Sequence, residues 1–256
     1  MHKIHIGEVL MEAPSAWHEL TADQLIMWIK ICAKNISKEK ALMFASSVFL
    51  SLPKREYFKL NAAQQIQLAD EFKYLLDNHA YAWLLPEIKV GRLRKFRGPN
   101  DHLHTSTIEE FNAAEQYYYE YCRTRNDAFL DMLIAVLYRP VSIGWPWSKN
   151  NGKDTRKIFL EVDVIRNAPK MRKLDQHLRA AILFNYEGCR RHVISRYPTV
   201  FIQGDGTTEA KLPDLSPLIS TVAGGKFGTF QQTEQTNVYR FLDHLEREIE
   251  EANRKK

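Results

Sequence analysis

Three polar pairs, each spaced by three residues and each standing just ahead of an apolar stripe, constrain this chain more than any other feature. Thr21 with Gln24, Asn61 with Gln64 and Ser106 with Glu109 have the spacing of capping boxes, in which each side chain satisfies a backbone donor of a helix's first turn. The apolar residues that follow recur at helical period: Leu25, Trp28, Ile29 and Cys32; Ile66, Ala69, Phe72 and Leu76; Ile108, Phe111, Ala114 and Tyr118. Such spacing stacks each set on one face. Further stripes carry Leu42, Ala45, Val48, Phe49 and Leu52 up to Pro53, and Phe129, Leu130, Leu133, Ile134 and Leu137 up to Pro140. After Pro169 come Leu174, Leu178, Ala181, Ile182 and Val193, a stripe open to interruption at Gly188. Val238, Phe241, Leu242, Leu245 and Ile249 form the last. The expected fold is therefore mainly α, a multi-helix globular bundle of roughly nine or ten helices.

Two stretches break the helical texture. Residues 86–98 alternate briefly, with Val90, Leu93 and Phe96 set between charged neighbours, and read as a β-hairpin or extended arm. Residues 2–10 read as a strand. The cluster Gly98-Pro99-Asn100-Asp101 forces a turn and is the best candidate boundary. A helical body over 1–201 is expected to carry the arm, and a polar loop with a C-terminal helix–loop–helix appendage to follow over 202–256.

Bulk properties exclude several classes. No run of about 18 apolar residues exists, so no membrane-spanning helix is expected, and the N-terminus lacks the apolar core of a signal peptide. The three cysteines, Cys32, Cys122 and Cys189, are far apart and form no CxxC pair. Free, buried thiols in a reducing cytoplasm are the expectation. The net charge of +5 raises nucleic acid as a partner. Lys89, Arg92, Arg94, Lys95 and Arg97 place five cations on the arm, where they would track phosphates. Segment 153–196 holds eleven Lys and Arg against five Asp and Glu.

Chemical motifs are few. "AGGKFGT" at 223–229 puts glycines beside a lysine, as a phosphate cradle would. A Walker loop needs a glycine where Ser220 stands and a hydroxyl where Phe227 stands. Gly224 and Gly225 are instead expected to end one helix, with Phe227 anchoring a hinge that offers a place for a partner. The Gly-Asp-Gly segment at 204–206 reads as a turn. His102 and His104 follow Asp101 without a third ligand in register, so neither metal nor cofactor is expected. No serine elbow occurs. "YYYEY" at 117–121 mixes aromatics with nearby Arg123 and Arg125, but helical geometry points successive rings about 100° apart.

The order of "WHELTADQL", "DAFLDMLIAVLYRP" and "LISTVAGGKFGTFQQTEQTNVYRFLDHLE" resembles helical accessory proteins of tailed phages and prophage-like elements, of the tail-assembly-chaperone type. The resemblance implies a helical body whose terminal helix–loop–helix contacts another assembly component, and it carries over no catalytic residue. The leading functional expectation is a non-enzymatic assembly or interaction protein, cytoplasmic or built into a virion-like particle, with other protein subunits or a second copy as partners. Two alternatives stand beside it: a nucleic-acid-binding module using the arm and 153–196, and an enzyme with a dispersed site around His102, His104 and the loop at 203–208.

Overall fold

The computed structural model describes residues 2–6, 9–50, 54–91, 94–141, 154–201, 215–225 and 227–254. Leu52, Pro53, Arg92, Leu93 and the loop at 203–208 lie outside the described residues. Within them the chain is mainly α, with eleven α-helices and two small antiparallel hairpins. No helix among the described residues is long and apolar enough to cross a membrane. The chain divides into two compact units, Met1–Leu84 with Asp175–Gly188, and Leu85–Leu174 with Cys189–Lys256.

The first unit begins with a hairpin, β1 (His2–Ile6) and β2 (Val9–Ala13), so the single strand expected over 2–10 is instead β1 and the start of β2, with Ile4 opposite Met11. Four helices follow: α1 (Ala22–Cys32), α2 (Lys38–Phe49), α3 (Lys54–Tyr57) and α4 (Ala62–Asp70). Both expected capping boxes are made: Thr21 with Gln24 opens α1, and Asn61 with Gln64 opens α4. Leu25, Trp28, Leu42, Ala45, Phe49, Ala69 and Phe72 are buried as the stripes require. The apolar faces depart from the stripes at Cys32, Val48, Ile66 and Leu76, Val48 being 42 % exposed. Ile31 is buried where Cys32 is exposed. Leu75 is buried while Leu76 is 41 % exposed, because Lys73–Leu76 is a 3₁₀ turn whose tighter winding rotates the inward position back by one residue. Ile66 is also exposed, and Leu68 takes its inward place.

Trp17 ties this unit together: its indole N–H donates to the carbonyls of Tyr74 and Asp77 at 3.1 and 2.7 Å, and its ring lies 5.1 Å from that of Phe184. The long helix α8 (Gln176–Arg196) runs unbroken through Gly188, against expectation. The glycine is there for space, since a Cβ would stand 2.7 Å from the Ala80 carbonyl oxygen. Three residues before it, Asn185 donates to the carbonyls of Ala80 and Ala82 at 2.9 and 2.8 Å and accepts from the Leu84 amide at 2.8 Å. One buried amide side chain thus satisfies three backbone groups of an irregular segment.

The second unit contains the other hairpin, β3 (Glu87–Val90) and β4 (Arg94–Arg97). Ile88, Val90 and Phe96 are buried, and Gly91 turns the chain at φ +67°. The arm is fastened down: Arg97 and Arg139 exchange backbone hydrogen bonds of 2.8 and 3.0 Å, and Gly98 donates to Pro86. The Gly98–Asp101 turn consequently lies inside this unit. The helix α6 (Asp127–Leu137) packs on both α5 (Ile108–Thr124) and α7 (Glu161–Met171). α7 continues through Pro169, which sits in the last turn, so the bond its missing amide removes is among the helix's last.

The cap of α5 is shifted by one residue from the expected pair. Thr107 accepts from the Glu110 amide at 3.2 Å, while Ser106 is buried and its carbonyl takes the Val238 amide at 3.0 Å. An antiparallel bridge between Thr107 and Asn237 fixes that frame. Glu110 does not fold back on the cap because two arginines hold it. Arg156 meets its carboxylate at 2.6 Å and Arg139 meets it at 3.1 Å, and Asp154 completes the group at 2.7 Å from Arg156. The chain ends with α9 (Leu215–Val222), α10 (Phe230–Glu234) and α11 (Val238–Arg254), of which α10 and α11 pack on α5.

Candidate functional site

Of the five cations of the basic arm, four fall among the described residues. Lys89 and Lys95 face each other across the hairpin, and Lys95 forms an ion pair of 3.2 Å with Glu87. Arg94 is exposed, Arg97 is half-buried, and Arg92 lies outside the described residues. Much of the positive charge of 153–196 is met by acids. Arg156 is buried in the Glu110 group, Lys157 and Arg166 both pair with Asp163, and Arg190 grips Glu115 at 2.8 Å. Arg190 also lies over the Tyr118 ring at 5.1 Å, which uses one ring of the tyrosine run internally.

A second group of cations gathers around α11. Along α11 the buried residues Val238, Phe241, Leu242 and Leu245 take one side. Arg240, Asp243, His244 and Arg247, at i, i+3, i+4 and i+7, take the other. They line a groove of about 500 Å³ together with His104, Arg196, Phe227, Asn237 and Tyr239. Three arginines thus face one aspartate. None of Arg196, Arg240 and Arg247 has a carboxylate within ion-pair distance among the described residues. Arg196 lies over the rings of Tyr239 and Tyr197 at 5.2 and 5.7 Å, and Arg240 over Phe227 at 5.8 Å. Cation–π contact of this kind orients a guanidinium while leaving its charge uncompensated.

Three other polar groups of the groove are engaged by the fold. Asn237 caps α11, accepting from the amides of Tyr239 and Arg240 at 3.1 and 3.4 Å and donating to the His104 carbonyl at 2.7 Å. The Tyr239 hydroxyl donates to the His102 carbonyl at 2.6 Å. Asp243 accepts from the Tyr197 hydroxyl at 2.7 Å.

The loop 223–229 supplies one wall. Gly224 adopts φ +86°, and its amide donates to the Gly228 carbonyl at 2.7 Å. α9 therefore ends as the glycines require, and Gly225 donates back to Val222. Phe227 stands 5.9 Å from the Phe241 ring and 5.2 Å from His244. Both histidines singled out in the sequence lie close by in different roles. His104 lines the groove, edge-on to Tyr239 at 4.9 Å. His102, at φ +57°, stacks on His192 at 4.4 Å. Burial, His102, Arg196 and His104 hold His192 below the usual imidazole range, as crowding by cations should. No group of three metal-ligating side chains occurs among the described residues.

The cysteines are not uniformly buried. Cys32 is exposed, Cys122 is intermediate and Cys189 is buried, with its thiol pushed up to about 12 chiefly by burial. Such a thiol is a poor nucleophile. Sequence reasoning missed Arg240 and Arg247 and counted Arg196 only among the cations of 153–196. The polar stripe on α11 was visible in the spacing, but neighbouring acids concealed its sign.

These features define a mainly α chain with an arginine-lined groove in its second unit. No protein-family model, no curated protein and no solved structure matches it.

Proposed function

We propose that this chain is a non-enzymatic binding protein whose working surface is the groove over α11, and that its partner is anionic. The observation that carries the reading is the set of three arginines in one groove without carboxylate partners. Exposed arginines cost little to leave solvated, but three around one concavity focus a positive potential on whatever enters it. The test is retention on immobilised heparin at low salt, for the wild type and for the R196A/R240A/R247A variant. Retention that the triple substitution abolishes supports the reading, and equal retention of both proteins contradicts it.

A second reading, assembly through self-association, is favoured by a separate observation. Ile158, Leu160, Val162 and Ile165 are between 47 % and 69 % exposed on and just before α7, more apolar surface in one segment than scattered exposure explains. Light scattering at increasing concentration tests it: a constant monomer mass removes this support for the tail-assembly type of protein.

A further inference from the structure

Resting on the anionic-partner reading, we infer that the groove binds single-stranded nucleic acid and does so without regard to base sequence. Arg240 and Arg247 are two helical turns apart, about 10 Å along the axis, and Arg196 comes from a different helix, α8. Cations strung out in this way match a chain of phosphates better than one compact anion, which would call for donors converging on a point.

The chemistry between the charges decides the class of polyanion. The guanidinium groups of Arg196 and Arg240 lie over Tyr239 and Phe227, so the groove offers flat guanidinium surfaces backed by aromatic rings, Tyr239 itself being buried. Bases stack on such surfaces, and every base has a face to offer. An acidic peptide would use the charges and leave the flat surfaces idle.

Sequence-independence follows from what is already occupied. Besides arginine, which reads guanine but which at Arg196 and Arg240 lies over an aromatic ring, the groups that read base edges are free amides, carboxylates and hydroxyls. Here Asn237, the Tyr239 hydroxyl and Asp243 are all engaged by the protein itself. A duplex keeps its bases stacked inside and offers only phosphates, so it would lose the stacking contribution.

The experiment is fluorescence anisotropy with three labelled probes across a salt series: single-stranded oligonucleotides of about 12 nucleotides, one oligo-dT and one of mixed sequence, and an oligoglutamate peptide. A duplex of the mixed sequence is the fourth probe. With three phosphate contacts, log K against log[salt] is expected to fall with a slope of about −2, and R240A and R247A should each reduce that slope by about 0.7. The two single strands should bind within about threefold of each other. Circular dichroism confirms that the variants, both at exposed positions, remain folded. Strong base preference, tighter binding of the duplex, or slopes unchanged in both variants overturns the inference. If oligoglutamate binds and neither strand does, the inference fails and the anionic-partner reading stands. If no probe binds at low salt, both fail.

Discussion

Replacing Arg156 by methionine tests the buried ion group of the second unit, because it removes one charge from a balanced set of four. The Arg156 side chain is 0 % exposed and that of Glu110 is 1 % exposed, so neither has solvent to fall back on. Arg156 also donates to the Leu137 carbonyl at 2.8 Å, the last residue of α6, and so joins two helix ends besides holding a carboxylate. Without it, Arg139 alone must serve Glu110 and Asp154. Arg139 is itself held below the usual guanidinium range, first by burial. Breaking a buried pair from one side costs about 3–5 kcal/mol, because a charge is left uncompensated, whereas removing both partners costs far less. For a chain of this size each kcal/mol lowers Tm by about 2–4 °C. R156M should therefore lower the melting transition of the second unit by roughly 6–20 °C. R156M/E110L should recover much of that loss. The assay is calorimetry of the three proteins at neutral pH. A cost below about 1 kcal/mol for R156M, or no recovery in the double variant, would refute the claim that compensation of Glu110 organises this unit.

Two further substitutions probe the close contacts described above. Gly188→Ala should destabilise by about 1–3 kcal/mol despite alanine's higher helix propensity. Its Cβ would meet the Ala80 carbonyl oxygen at 2.7 Å and Asn78 Oδ1 at 2.8 Å, and urea denaturation showing equal or greater stability would contradict this. Glu109 is raised to about 7, first by burial and then by Glu234 and Glu161. The folded state therefore binds an extra proton between about pH 4.5 and 7, and stability falls as pH rises through that window. Glu109→Gln should remove that loss, raising stability by about 1 kcal/mol at pH 8 after allowance for solvent screening, with no gain at pH 4. Melting curves that show the same gain at both pH values would be against it.

The helices and the hairpin within 86–98 were legible because their signals are local. Thr21 and Gln24 need nothing beyond one turn of chain to cap α1, and alternation around Val90 and Phe96 is enough to mark a hairpin. Ser106, Thr107 and Glu110 show where local reading ends. The sequence offers two capping frames one residue apart, and the bridge from Thr107 to Asn237 selects between them. Gly188 shows the same limit, since a helix interior and a helix break are alike in composition until Ala80 is seen against it. The groove was legible only in parts. Phe227 and His104 drew notice for other reasons, and the stripe from Arg240 to Arg247 could have been read from its period. What brings Arg196 to them is tertiary packing, which no spacing along the chain encodes.

The central claim is that the groove over α11, and not the basic arm, carries the anionic partner. The direct measurement compares two triple variants, R196A/R240A/R247A and K89A/R94A/K95A, by their affinity for a single-stranded oligonucleotide at one low salt concentration. Both sets lie at exposed positions, and each removes three positive charges, so net charge is matched. The account predicts a loss of at least about tenfold for the groove variant and less than about threefold for the arm variant. The reverse order, or equal losses in both, would contradict it.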